Sequence, residues 1–427
     1  MSKNHHLRTL LAWLVAVFVL PLPFLYTFVQ GLPAGMEGQK LAIANGIIAY
    51  VWMLLAIYIG TKPKWLDRLI GLPVAYMIHG ILSMVAIFLA MLHKSASPSY
   101  GLIALTGNIA FNIFLALLLY SLIFMAGWLT SRVPFLATIK KKLETTFKHE
   151  VSLALHRLNL LATFLIFVHI QLIDYIRSNV PFMLVVYLAT FFVFFSYLRS
   201  KLGKTAQGVQ AQLVSNRQLA DNIHEFRIQL PAKHDLTLRA GDFVFISFPD
   251  IKGLEEPHPF SLVNNPKNSC DIVLAIRGDG DFTRQLQELE APAQLMVNGG
   301  YGLYQTIIDE QAPKEILAIS GGIGITPILS IVEANPNIKT TVFHGASTKE
   351  ALLYEEKFLE WSKRPNFVAH RLVGRFEEEE VLASLPKELN SVTVLISGPA
   401  AMARYWMACL EAYGVPKGQI FYEEFGW

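Results

Sequence analysis

Along the first 199 residues, polar positions are few and apolar ones come in blocks. Six blocks, at about 8–29, 41–60, 74–93, 105–129, 151–176 and 181–199, are each long enough to cross roughly 30 Å of hydrocarbon as a helix. The first contains Pro21 and Pro23 and has no obvious small-residue cleavage site, so it reads as a retained helix rather than a removed leader. From residue 200 the pattern changes. Short stretches such as FRIQL, DFVFISF and CDIVLAIR alternate along their length, with turn residues between them, and predict an antiparallel β-barrel. From about residue 313, apolar strands (EILAIS, TTVFHG, VTVLIS) alternate with helical stretches such as PILSIVEAN and predict a βαβ layer. The predicted order is a six-helix all-α transmembrane bundle over 1–199, an antiparallel β-barrel over 200–310 and an α/β domain over 311–427.

Composition sharpens this picture. Apolar types make up 53% of the 427 residues and the mean hydropathy is +0.40, both high for a wholly water-soluble chain. The lipid bilayer is therefore the first expected partner. The net charge of +3 and the lack of a basic tract interleaved with aromatics argue against nucleic acid. The two cysteines, Cys270 and Cys409, form neither a CxxC nor a disulfide framework, and they leave no ligand set for thiolate zinc or iron–sulfur clusters. Lys and Arg concentrate in alternate loops: Lys62, Lys64 and Arg68 in one, Arg132, Lys140, Lys141, Lys142 and Lys148 in another, and Arg199, Lys201 and Lys204 after the sixth block. This bias predicts a multi-pass protein of the plasma (inner) membrane with both termini in the cytoplasm.

Four of the twelve histidines lie inside the apolar blocks: His79 and His93 in the third, His156 and His169 in the fifth. Polar groups in lipid are costly and usually have partners. Neutral imidazole is a good iron ligand, so it suits a haem held between helices. The spacings are 14 and 13 residues, or about 21 and 19.5 Å of helical rise. Both helices are expected to run the same way, so His79 is level with His156, and His93 with His169. Two stacked bis-histidine haems follow. The competing reading is that these histidines bond to water or headgroups at the membrane surface. Arg157 suits either a haem propionate or a headgroup. One feature fits poorly: a step of 13 misses the starting face by roughly 140°, so an ideal fifth helix would not aim both rings at the third. A π-bulge, a tilt or unequal approach angles would each repair it.

Three stretches of the soluble part carry chemistry. HPFS (His258, Pro259, Phe260, Ser261) lies at a strand. AIRGDGDFT brings Ile276 and Arg277 close to a helix start at Asp281, Phe282 and Thr283, where Thr283 can cap the helix and the N-terminus suits a phosphate. SGGIGITP follows an apolar strand and opens a helix, so Gly321, Gly322 and Gly324, ahead of Thr326 and Pro327, let a pyrophosphate approach backbone N–H groups.

Together these pieces resemble the NADPH oxidase and ferric reductase superfamily, and the likeness to bacterial NADPH oxidase-like flavocytochromes b covers nearly the whole chain. The histidine pairs resemble its two-haem pattern. HPFS resembles its flavin motif, GDFT its pyrophosphate segment, and VNGGYG, with Tyr301 and Gly302, its V-x-G-P-Y-G with Gly300 in place of proline. GGIGITP and the SGP of Ser397, Gly398 and Pro399 resemble its two nicotinamide-cofactor motifs, the second with Ser397 where the family commonly has Cys. The terminal FYEEFGW resembles its closing aromatic segment. The resemblance implies an FAD-binding barrel and a ferredoxin-reductase-like domain for NADPH or NADH. It also implies a hydrogen bond from Ser261 to flavin N5, and a ring of Phe425 (alternatively Trp427) over the flavin that moves aside for nicotinamide.

The implied function is electron transfer from cytosolic NAD(P)H through FAD and two b-type haems to an acceptor outside. O2, giving superoxide, is favoured, with Gln171 and Lys94 as polar groups near the outer haem. Ferric or cupric reduction, or relay to a periplasmic protein, are the alternatives. The chain holds neither an EF-hand loop nor a polyproline segment, so no cytosolic activator is expected. Ser347, Thr348 and Lys349 follow the second βα strand. Lys349 supplies charge without a planar fork, which implies weak discrimination with a modest NADPH preference.

Overall fold

The computed structural model describes residues 3–124, 155–202, 208–267 and 269–423. The chain divides into two compact units, one helical (Thr9–Pro63 and Val74–Lys201) and one mixed (Met1–Arg8, Lys64–Pro73 and Leu202–Gly426).

In the helical unit, α1 (Lys3–Leu14) passes through a π-helical turn, Val15–Val19, before α2 (Leu22–Gln30). Leu20 N–H bonds to Val15 O at 2.9 Å, a wider loop than the α-helical one, just ahead of Pro21 and Pro23, which have no N–H to offer. Then follow α3 (Lys40–Gly60) and, beyond α4 (Lys64–Ile70) of the mixed unit, α5 (Leu72–Ala96), α6 (Gly101–Phe124), α7 (Leu158–Gln171), α8 (Asp174–Arg177) and α9 (Val180–Leu202).

Five stretches are long and apolar enough to cross a membrane: His5–Gln30, Glu37–Gly60, Leu72–Ala96, Gly101–Ser121 and Val180–Leu202. The remaining expected span is seen only as α7. Its 14 residues cover about 21 Å, and the stretch leading into it lies outside the described residues, as does the basic 130–150 loop. The helices bury Val186 and Val193 but leave Leu188, Phe191 and Phe195 largely exposed, the reverse of a helix covered by water. Inside, the polar groups pair: Tyr50 Oη with Thr190 Oγ1 at 2.6 Å, and Trp52 Nε1 with Ala16 O at 3.0 Å.

The mixed unit holds two sheets. The first contains β1 (Val209–Ala220), β2 (Ile223–Gln229), β3 (Phe243–Ser247), β4 (His258–Ser261), β5 (Asp271–Arg277) and β6 (Ala293–Tyr301), all antiparallel in the order β4-β3-β6-β1-β2-β5. The predicted barrel is not closed. Among the described residues, the ends of the sheet are joined by the bridge Leu262↔Leu274, the bond from Val263 N to Val273 O and two bonds of the Asn264 side chain, to Asp271 O and from Val273 N. β4 is four residues long and contains Pro259, which lacks a donor, so it cannot sustain a second ladder.

The second sheet contains β7 (Glu315–Gly321), β8 (Lys339–Ala346), β9 (Phe367–Val373), β10 (Val392–Ser397) and β11 (Ile420–Tyr422) in the order β11-β10-β7-β8-β9, all parallel. Its central strands are covered on both faces, which is why they read as unbroken apolar runs. From β7 the chain winds out to β9, then returns to β10 on the other side. The carboxyl ends of β7 and β10 therefore flank a topological switch point, where open α/β sheets bind ligands.

Candidate functional site

The helical unit brings the four histidines together as two facing pairs. The ring centroids of His79 and His156 are 6.1 Å apart, and those of His93 and His169 are 6.4 Å apart. Three of the rings are anchored through Nδ1 to a backbone carbonyl: His79 to Ala56 O at 2.9 Å, His93 to Ala42 O at 3.0 Å and His169 to Ile103 O at 2.9 Å. A carbonyl only accepts, so each Nδ1 carries the proton and each Nε2 keeps its lone pair. His156 Nδ1 has Asn159 Nδ2 at 3.4 Å and Ser121 Oγ at 3.5 Å.

Two glycines make room for the rings. A Cβ on Gly46 would lie 2.9 Å from the His93 ring, and one on Gly107 would lie 3.2 Å from His169. The helix tightens just after His156, where Arg157 keeps right-handed helical dihedrals (φ −64°, ψ −17°). Residues 155 and 156 are helical, Arg157 is a turn residue, and α7 begins at Leu158, with a short-range bond from Leu160 N to Arg157 O at 3.0 Å. Two metal–nitrogen bonds of about 2 Å plus two ring half-widths of about 1.1 Å come to about 6.2 Å, close to both centroid separations. Among the described residues, no group of three or more His, Cys, Asp or Glu side chains gathers as a metal site, so each pair offers two ligands only.

In the mixed unit, Phe243 on β3 lies opposite Ser261 on β4 and Tyr301 on β6, which aligns three neighbouring strands at one end of the sheet. Phe243 and Tyr301 stack at 5.7 Å. His258 stacks on Phe282 at 3.9 Å, and Phe260 lies 6.2 Å from the same ring. HPFS and GDFT thus meet through side chains. Ile276 is buried in the core of the first sheet, so only its backbone is open to a ligand. Thr283 caps its helix, Asp281–Gln287 (α10), from inside rather than as the N-cap. That position is Gly280, whose N–H donates to Thr283 Oγ1 at 2.9 Å. Asp281 points to solvent and pairs with Arg284.

The turn after Asn298 is held by residues the sequence did not single out. Gly300 has φ +85°, where a Cβ would lie 2.1 Å from Thr237 O; proline, fixed near −65°, cannot occupy it. α4 grips this turn. Lys64 Nζ donates to Gly299 O at 2.9 Å, Arg68 donates to Gly302 O at 2.7 Å, and Asp67 Oδ2 accepts from Gly302 N at 3.1 Å. Arg68 also forms a bidentate pair with buried Asp242, at 2.8 and 2.7 Å. Glu423 accepts from Leu303 N. Burial, with Asp67 and Asp242 nearby, pushes the Glu423 carboxyl up to about 8, and burial raises Asp242 to about 6. The only sequence sign of this cluster was the cationic 61–73 loop, read there as a topology signal.

At the switch point, the glycine turn after β7 packs onto the SGP turn after β10. A Cβ on Gly324 would lie 2.4 Å from Ser397 O, and one on Gly321 would lie 2.7 Å from Met402 Sδ. Gly322 differs. Its φ is +54° and nothing lies within 4 Å of a Cβ built there, so its backbone faces open space. His344, unnoticed in the sequence, lies behind it, and its Nε2–H donates to Gly322 O at 3.1 Å. Burial lowers His344 to about 4, so the ring is neutral near pH 7. Thr326 and Pro327 are buried in the first turn of α11 (Ile325–Ala334). In front of Gly322 opens a cleft of about 730 Å³. Arg277, Ser347, Thr348 and Glu350 line it together with the β1–β2 turn; Lys349 is not among its lining residues. Phe425 and Trp427 lie outside the described residues.

Residues 209–403 match a protein family described as an FAD-binding domain. Curated relatives include electron-transfer and reductase components. A probable dihydroorotate dehydrogenase B (NAD(+)), electron transfer subunit, from Methanocaldococcus jannaschii is 28% identical over 185 residues, 43% of this chain and 66% of its own length. The reductase component of propane 2-monooxygenase from Mycolicibacterium goodii is 24% identical over 245 residues, 52% of this chain and 69% of its own. The chain thus spans about two thirds of the length of these relatives. Among solved structures, the ferredoxin NADP+ reductase from Neisseria gonorrhoeae with bound FAD and NADP is 17% identical, with a TM-score of 0.44, over 52% of this chain and 100% of that one.

Proposed function

We propose that the protein is a transmembrane oxidoreductase of the NADPH oxidase and ferric reductase type. It moves electrons from NADPH or NADH through FAD and two b-type haems to an acceptor on the far side of the membrane, with O2 reduced to superoxide. When bound, FAD accepts a hydride and releases single electrons, which the haems pass on. The observation that carries this reading is the pair of facing imidazoles at each of two levels. Each facing pair would supply two imidazole ligands to a haem iron, and the centroid separations of 6.1 and 6.4 Å leave room for one between them.

The side chains have distinct tasks. His79 and His156 would hold the inner haem, and His93 and His169 the outer one. The backbone carbonyls of Ala56, Ala42 and Ile103 fix ring orientation and make the ligands more basic. Ser261 offers a hydroxyl at the flavin edge. Gly322 N–H and the start of α11 face a pyrophosphate, held in place through His344. The exposed apolar faces of α9 and its neighbours suit lipid, in a plasma membrane with both termini on the cytoplasmic side.

Gln171 supports O2 as the acceptor. It lies two residues after His169. Its Oε1 accepts from Tyr187 Oη at 2.7 Å, while its buried Nε2 has no partner among the described residues and is ready to donate to a small acceptor. The test is to purify the full chain with haem and supply NADPH or NADH in air. Reduction of cytochrome c that superoxide dismutase abolishes is expected. Faster turnover of ferric chelates than of O2 would move the protein to the metalloreductases, and absence of haem would overturn the reading.

A further inference from the structure

Taking the cleft before Gly322 as the nicotinamide-dinucleotide site, as proposed above, we infer that it selects NADH and rejects NADPH, through Glu350 and Asp221. The two cofactors differ only by a phosphate on the adenosine ribose. In βαβ folds, that ribose lies beyond the end of the second strand. A carboxylate there accepts a hydrogen bond from the 2′-hydroxyl of NADH, and a guanidinium pairs with the 2′-phosphate of NADPH. Here the second strand is β8, and the residues beyond it that face the cleft are Ser347, Thr348 and Glu350.

The charge balance of the cleft decides the sign. Its charged lining residues are Asp221, Arg277 and Glu350. Arg277 is already engaged, because its guanidinium lies 2.7 Å from Asp279. A phosphate would have to compete with that carboxylate for it. Two carboxylates therefore line the cleft, and among the described residues its one lining cation is already paired. Lys349, which by sequence alone tilts the balance toward NADPH, does not line the cleft. The Thr348 hydroxyl accepts from Ala351 N at 3.3 Å, which orders the turn carrying Glu350.

Like-charge repulsion in a solvated cleft is modest for each pair and falls with salt, so two carboxylates against a near-dianion point to a preference of about tenfold rather than an absolute one. The experiment measures kcat/KM for NADH and for NADPH on the full chain with FAD saturating, at low and high ionic strength. NADH is expected to lead by about tenfold at low salt and by less at high salt. Glu350→Gln should raise kcat/KM for NADPH and lower it for NADH, cutting the ratio about threefold or more. Asp221→Asn should cut it in the same direction, and Glu350→Arg should reverse it. Adenosine 5′-monophosphate should inhibit the wild type better than adenosine 2′,5′-bisphosphate, a difference that shrinks in Glu350→Gln. Equal use of the two cofactors, a preference for NADPH, or a ratio unmoved by Glu350→Gln in a variant of full flavin content would overturn the inference. Failure of both cofactors to reduce the flavin would instead overturn the assignment of the cleft, and the inference with it.

Discussion

Glu423 titrates in the direction opposite to a typical salt-bridged carboxylate. Its ordinary value of 4.5 is raised to about 8 in the fold, chiefly by burial. Between these values the folded chain binds a proton that the unfolded chain has lost. Its contribution to stability is therefore fully present below about pH 4.5 and is lost as pH rises through about 8. Thermal melts of the full chain in detergent should fall between pH 5 and 8, and Glu423→Gln should flatten that slope. An unchanged slope would show that the carboxyl ionises without penalty. Ser261 makes a second residue-scale prediction. Ser261→Ala should slow flavin reduction by NAD(P)H in stopped flow by more than it weakens FAD binding, because a bond to the reacting flavin edge matters most as charge moves. Equal loss in both would mean that the hydroxyl only holds the cofactor.

At the scale of elements, α4 is a seven-residue helix whose packing in the mixed unit depends on polar contacts. Arg68→Ala would leave Asp242 buried without its bidentate partner. The expected cost is about 3 kcal/mol, near the low end for a broken buried pair because Arg68 keeps 23% of its side chain exposed. Arg68→Lys should cost about 1 kcal/mol, since an ammonium lacks the planar fork. Urea titrations followed by flavin release measure both, and equal costs would show that charge alone matters. The same element explains a departure from the family pattern. Gly300 replaces a proline of the resembling motif because the chain there turns through φ +85° beneath Arg68.

For the whole molecule, the expected content is two b-type haems per chain by pyridine haemochrome assay. His93→Ala or His169→Ala should lower this to one, and His79→Ala or His156→Ala should remove the other. One haem in the wild type would leave one facing pair without a role. Much of this was legible in the chain. Long apolar blocks, alternating strands and glycine turns report element type and order, because hydropathy and backbone freedom act locally and accumulate along the sequence. The near-equal spacing of the histidines was legible for the same reason: rise per residue is constant within a helix. Which groups meet is another matter. Asp67 and Arg68 reach Gly302 and Asp242 across more than 170 positions, and Glu423 reaches Leu303 across 120. Nothing local marks such encounters. Whether β4 closes a barrel, whether Lys349 or Glu350 faces the cleft, and how His156 is aimed each depend on a register that one residue can reset. A helix turns about 100° per residue and a strand reverses its face at every residue, so small local irregularities redirect side chains completely. The sequence determined which elements form and which chemistry they carry; the tertiary structure decided which side chains confront one another.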